Sequence, residues 1–292
     1  MKYKAINKLI NKIEESSDLK SEESLKKYFD TRKKNISVLG FDIYHYSQYK
    51  NQDQDIIPFL FDDLLRESSI FAATFDSFIF QKEKKEIYTK LISTGDGGFL
   101  TFENPLNALI FLLYFNIQLK YFNSFHRMEK IRKMLGPISI RYAITTDSIF
   151  GYDHNIFGPA IINNARIMSG DKLNRLIIDK KTHEWFEKNL FGLENLPNID
   201  IPYLKNKNLY KKYNDLTKNC WYITHNINER NPKIINVDVL KIGESEIKKT
   251  KLDTYNVIVT YKAKAFKKYD IQDTEEFNNI TLNLGNYNTT GL

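Results

Sequence analysis

The sequence predicts an α+β fold: a ferredoxin-like βαββαβ unit with N-terminal helices before it and a small C-terminal β appendage after it. Three observations carry that expectation. The apolar run Val38-Leu39-Gly40-Phe41 ends in Asp42 and a polar, aromatic turn, as a buried strand does when it delivers an acid at its end. Ile92-Ser93-Thr94-Gly95-Asp96-Gly97-Gly98-Phe99-Leu100 has apolar residues on both sides of a Gly-Asp-Gly-Gly turn, which reads as a hairpin with an acid at its tip. Strand-like and helix-like stretches follow in the order β-α-β-β-α-β, then α-β.

Residues 1–34 form the helical preface, with Ile6, Leu9, Ile10 and Ile13 on one face. Ser16, Ser17 and Asp18 break it before a second helix through Leu25 and Tyr28. Residues 35–229 form the main domain. Its first strand starts at Ile36, and an amphipathic helix follows over about Ile56 to Glu67, with Ser69 to Ile79 open between helix and strand. Pro105, a favoured first-turn residue, starts a long helix to about Met134, which Gly136-Pro137 ends. Ile138 to Thr145 alternates as a strand, Ile149 to Gly158 is a second arm, and Pro159 to Met168 a helix. Arg175 to Asp179 is a strand, Lys181 to Leu190 a helix, and Trp221 to Thr224 a closing strand. Residues 230–292 read as a small β appendage, with Tyr255 to Tyr261 its clearest strand.

The net charge is +7, but the lysines are scattered among Asn and Glu, and no basic-aromatic stripe marks a nucleic-acid reader. A solvated surface is the favoured reading. The single cysteine, Cys220, excludes an internal disulfide and a zinc cluster, which fits a reducing cytoplasm. The apolar stretch Leu106 to Phe122 is too short and, with Asn107, Asn116, Gln118 and Lys120, too polar to span a bilayer. No signal core follows Met1-Lys2-Tyr3-Lys4. A soluble, cytoplasmic protein without nucleic-acid or membrane partners is expected.

If the first strand and the hairpin are neighbours, Asp42 and Asp96 face each other at one edge of a sheet. Two close carboxylates repel unless a cation lies between them. Oxygen ligands suit Mg²⁺ or Mn²⁺, which also bind phosphates, so the pair suggests a two-metal nucleotide site. Either acid alone is ordinarily a turn residue or a helix cap. The pair is strengthened by a third segment, Phe157-Gly158-Pro159-Ala160-Ile161-Ile162-Asn163-Asn164-Ala165-Arg166-Ile167-Met168, followed by Asn174-Arg175-Leu176-Ile177-Ile178-Asp179.

In this order and spacing the three motifs resemble those of the class III nucleotidyl cyclases: a Phe/Ala-Asp-Ile strand end, a Gly-Asp-Gly hairpin, and Gly-x-x-Val-Asn-x-Ala-x-Arg. The resemblance spans about Ile36 to Asp179. The departures fall on the base readers: the purine-reading Lys is replaced by Ile92, and the second reader by Asn155. The transition-state Asn falls at Ile162, so it is absent or displaced to Asn163, whereas the Arg is kept as Arg166. Loss of the purine readers with both acids kept is similar to the bacterial Pycsar pyrimidine cyclases of anti-phage defence. Phe-Gly-Pro-Ala followed by Asn-Arg-Leu-Ile-Ile-Asp resembles their Gly-x-Ala…Pro-Arg-Ile-Ile-Asp pattern, with Asn174 in place of the Pro.

The resemblance implies a lyase that turns a pyrimidine nucleoside triphosphate, UTP favoured over CTP, into a 3′,5′-cyclic mononucleotide and pyrophosphate. It implies two divalent ions, Mn²⁺ or Mg²⁺, on Asp42, Asp96 and the Ile43 carbonyl, with Arg166 as a catalytic cation. The nucleotide would lie against Phe41, Tyr44, His45, Tyr46, Ser47, Ile92, Asn155, Phe157 and Arg166, its phosphates on the amides of residues 43–47. It implies a homodimer with active sites at the interface, and a separate cyclic-nucleotide-binding effector that reads the product. Arg141 and Arg175 are structural or phosphate-facing auxiliaries, and His45 is a solvated loop residue. The alternatives are an adenylate or guanylate cyclase with atypical base readers, and a catalytically dead cyclase-fold sensor.

Overall fold

The computed structural model describes residues 11, 13–16, 21–76, 79–80, 87–152, 155–173, 175–190, 232–247, 250–265 and 278–285. The first preface helix falls largely outside these residues, as do Asn174, Cys220 and the expected strand Trp221 to Thr224.

Helix α1 (Glu22–Asp30) is capped by Ser21 and Ser24, which each bond the other's amide. Strand β1 (Lys34–Ile43) leads through a 3-10 turn (Tyr46–Gln48) into α2 (Asn51–Phe75). This helix is longer than its apolar pattern suggests. Ser68 and Ser69 do not break it because their hydroxyls donate back to the carbonyls of Leu64 and Leu65, at 2.6 and 2.8 Å. Strands β2 (Ile92–Ser93) and β3 (Gly97–Phe102) are the expected hairpin.

The expected single helix to Met134 is two helices, α3 (Pro105–Asn123) and α4 (Glu129–Leu135). The backbone turns left-handed at Phe125 and Met128, which no α-helix can continue through. Strand β4 (Ile140–Tyr152) folds back on β5 (Asn155–Phe157). Helix α5 (Pro159–Gly170), strand β6 (Leu176–Asp179) and helix α6 (Lys180–Leu190) follow.

The sheet runs β2-β3-β1-β4-β6, the strand order of a ferredoxin-like core plus one parallel strand reached through α5. It then continues into β8 (Thr250–Ala265) and β7 (Lys233–Ile247), with β9 (Asn278–Leu284) paired to β8. The strands expected as a small β appendage from residue 230 onward extend the main sheet. Residues 254–256 of β8 pair with β6.

Alternation along β1 gives the sheet two buried faces. Leu39, Phe41 and Ile43 point to a core shared with α2, α3 and Phe186 of α6. Val38 belongs to a smaller core with Ala160, Ile167 and Met168 of α5. Nearly every residue of α3 from Pro105 to Phe122 is buried, so its all-round apolar sequence marks a central helix. No helix among the described residues is long and apolar enough to cross a membrane.

Candidate functional site

The site is built where β1 ends beside the β2–β3 turn. Asp42 pairs in register with Gly97 on one side and Arg141 on the other. The Ile43 amide donates to the Asp96 carbonyl at 2.8 Å, which fixes the hairpin tip against the strand end. Gly97 permits that approach: a Cβ there would lie 2.1 Å from the Phe41 carbonyl oxygen. Asp42 and Asp96 are thus brought together as the sequence suggested. They differ in setting, since Asp96 is exposed in the turn and Asp42 is half-buried within the sheet.

The surroundings of Asp42 raise its affinity for a proton. Burial pushes its carboxyl above the ordinary range; the Arg141 guanidinium opposes that, and the Asp96 charge adds to the rise. Arg141 Nη2 donates to Asp42 Oδ2 at 2.6 Å. The guanidinium lies 5.5 Å from the centre of the Tyr44 ring, which stacks on His45 at 3.6 Å. Arg141 was expected only as an auxiliary. Its contact with Asp42 depends on pairing across 99 positions of chain, and no local motif carries that information.

Asp42 and Asp96 supply oxygen donors that fit one or two hard divalent cations completed by substrate phosphates. Among the described residues no group of three or more His, Cys, Asp and Glu could hold a metal by itself. Among the described residues, a cation at this site would depend on these two carboxylates, main-chain oxygen and ligand.

Several expected nucleotide contacts are placed elsewhere. The Phe41 side chain is 1% exposed and packs on the opposite face against Phe61, Phe115 and Tyr142, so it cannot touch a ligand beside Asp42. The amides of Ile43 and Tyr44 are committed to the carbonyls of Asp96 and Ser139, so they are not part of a phosphate cradle. The following amides, from His45 to Ser47, open the 3-10 turn, with His45 in the left-handed region. Tyr44, His45, Gln48, Tyr49, Pro137 and Ser139 line an open cavity of about 190 Å³ next to the strand end.

Ile92 pairs with Phe99, and Phe99 with Gly40, which places Ile92 on the same face as Asp42. Asn155 and Phe157 lie on β5, paired with Tyr152 and Phe150 at the far end of β4. Arg141 and Tyr152 are separated by eleven steps of strand, about 35 Å at ~3.3 Å per residue. Within one chain, Asp42 and Asn155 are not brought together.

On α5, Asn164 is fully buried and donates to the carbonyls of Val38 and Ala143, at 2.8 and 2.9 Å. It seats over Gly40, where a Cβ would lie 1.9 Å from its Oδ1. Sequence reasoning missed this anchor; the signal was the glycine inside an apolar strand, which marks a close approach. Ile162 points outward and is 47% exposed. Asn163 and Arg166 are half-buried on the same helix.

No family model and no curated protein sequence matches the chain. Its structure is similar to an adenylate/guanylate cyclase/hydrolase from Silicibacter pomeroyi, at 13% identity and TM-score 0.42, over 77% of this chain and 96% of that one. It is also similar to the adenylyl cyclase CyaB from P. aeruginosa, at 14% identity and TM-score 0.43, over 77% and 94%. A third similarity is to the guanylate cyclase domain of RhGC from Catenaria anguillulae, in complex with GTP, at 13% identity and TM-score 0.42, over 76% and 95%.

Proposed function

We propose that the protein is a nucleotidyl cyclase that converts a pyrimidine nucleoside triphosphate, UTP before CTP, into a 3′,5′-cyclic mononucleotide and pyrophosphate. The observation that carries this reading is the junction of Asp42 with the Asp96 turn through the Asp42–Gly97 register and the Ile43–Asp96 hydrogen bond. Asp42, Asp96 and the Ile43 carbonyl would hold Mn²⁺ or Mg²⁺, which when bound lowers the pKa of the ribose 3′-hydroxyl and neutralises the leaving pyrophosphate. The amides from His45 to Ser47 and the adjoining cavity receive the phosphate tail.

The ~35 Å between Asp42 and Asn155 along β4 supports a site shared by two chains. In a two-fold dimer, the β4–β5 arm and α5 of one chain reach the acids of the other, giving two equivalent sites. Arg166 then stabilises charge that builds on the α-phosphate or leaving group. Asn155 offers a donor and an acceptor to a pyrimidine edge, and Phe157, 52% exposed, offers a flat apolar wall. Ile92 supplies no polar partner for a purine edge, and a buried unpaired group costs about 1–3 kcal/mol, tenfold or more in discrimination. The product would act as a messenger in antiviral defence, read by a separate effector.

The outward Ile162 in place of an Asn favours a second reading, a cyclase-like fold that binds nucleotide without turnover. Incubation of the full chain with each of the four ribonucleoside triphosphates and Mn²⁺, followed by mass analysis, decides between them. Cyclic UMP, absent with Asp96→Asn, is the expected result. Equal turnover of ATP or GTP would refute the base assignment, and binding without any cyclic product would refute the activity.

A further inference from the structure

Arg141 is held between two parts of the site. Its Nη2 donates to Asp42 Oδ2 at 2.6 Å, and its Nη1 donates to the carbonyl of Asp171, the residue that ends α5, at 2.8 Å. Asp171 is itself pinned: its carboxylate accepts from the amides of Leu173 and Arg175 and from Arg175 Nε. The Asp42 and Arg141 side chains are 19% and 18% exposed, so their attraction is only partly screened by water. The third donor, Arg141 Nε, is buried without a partner. The fork therefore holds Asp42 with its own hydrogen-bonding capacity incompletely used, and a polyanion could use it better.

A divalent cation on Asp42 and Asp96 would share the Asp42 carboxylate with the guanidinium, which already takes Oδ2, and the two positive charges repel each other. We propose that Arg141 is an internal counter-ion that competes with the divalent cation for Asp42. Cation binding is weak while the guanidinium stays on Asp42. It tightens when a polyphosphate draws the guanidinium away, so cation and polyphosphate bind as a coupled pair. This deepens the cyclase reading and rests on it for the identity of the ligands. Arg141 is here a positioning residue that sets the order of assembly. The guanidinium on Asp42 opposes a divalent cation there by direct charge repulsion, which water screens only in part at this half-buried pair.

The test is Mn²⁺ binding to the full chain, read from the resonance signal of free Mn²⁺, with and without inorganic tripolyphosphate. Mn²⁺ held by tripolyphosphate itself is subtracted from a protein-free control. Arg141→Met should bind Mn²⁺ at least about tenfold more tightly than the unaltered chain without tripolyphosphate. Tripolyphosphate should tighten Mn²⁺ binding by a larger factor in the unaltered chain than in Arg141→Met, where only its direct coordination of the ion remains. Adding Asp42→Asn should remove the gain. Arg141→Lys keeps the charge without the fork, and should show a smaller gain in the same direction; it decides the matter if Arg141→Met does not fold. Unchanged or weaker Mn²⁺ binding in the folded variants would overturn the proposal. Tighter Mn²⁺ binding with no cyclic product from any nucleotide would keep the competition and remove the cyclase reading. Cyclisation with unchanged Mn²⁺ affinity would do the reverse.

Discussion

Asp179 closes β6, and its carboxylate accepts from the amides of Thr182 and Thr146, at 3.0 and 3.3 Å. Burial pushes its pKa from 3.8 to about 6; the bonds from Thr182 and Thr146 work against that, and Asp147 adds to it. The folded protein therefore holds this proton more tightly than the unfolded chain. Its stability contribution is fully present below pH 3.8, falls as pH rises through the window from 3.8 to about 6, and stays low above it. Moving a carboxyl from 3.8 to about 6 corresponds to about 3 kcal/mol, at ~1.4 kcal/mol per pH unit. Asp179→Asn cannot titrate, yet its Oδ1 can accept the same two amides. The stability of the unaltered chain relative to Asp179→Asn should thus fall by about 2 kcal/mol between pH 4 and pH 7.5, the rest of the change lying below pH 4. Urea unfolding of both chains across that range at fixed ionic strength measures the difference, with other titrating groups cancelling. A difference constant to within about 0.5 kcal/mol would refute the assignment of this proton to Asp179.

If the site is shared by two chains as proposed, Asp42→Ala and Arg166→Ala should each be inactive and their mixture should regain part of the activity, one site of the mixed dimer being intact; no rescue despite demonstrated subunit exchange would argue for sites within one chain. Gly97→Ala forces a Cβ toward the Phe41 carbonyl and should cost about 1–3 kcal/mol, seen as a lowered melting temperature with weakened Mn²⁺ binding. Asn164→Ala strips partners from the Val38 and Ala143 carbonyls and the Thr145 hydroxyl, and should cost about 1–3 kcal/mol in urea unfolding.

What was legible in the sequence was what is local. Asp42 at a strand end and Asp96 at a hairpin tip follow from apolar runs broken by turn residues, and their meeting needs only that β1 and β3 be neighbours. The α+β class followed from the same elements. The rest depended on long-range pairing. Arg141 reaches Asp42 only through the β1–β4 register, which no composition fixes. Tyr255 to Tyr261 was recognisable as a strand, but its docking beside β6 was not, because β6 is only four residues long and buried on both faces. Such a strand shows no alternation from which a partner could be read. Asp179, part of the family-like motif, serves the first turn of α6 in this structure.

Helix α3 has a consequence for how the chain must be made. Asn116 Nδ2 donates to the Tyr261 hydroxyl and the Asn283 carbonyl, and that hydroxyl donates in turn to the Leu113 carbonyl. Partners for the middle of the helix thus arrive 145 and 167 positions later in the chain. While a ribosome is still adding those positions, a strongly apolar helix has emerged with one side uncovered. Until β8 and β9 dock, the nascent chain carries an adhesive surface, and folding must wait for nearly the last strand. A stop codon or frameshift near residue 250 would therefore leave the acids and their hairpin encoded but yield an aggregation-prone fragment.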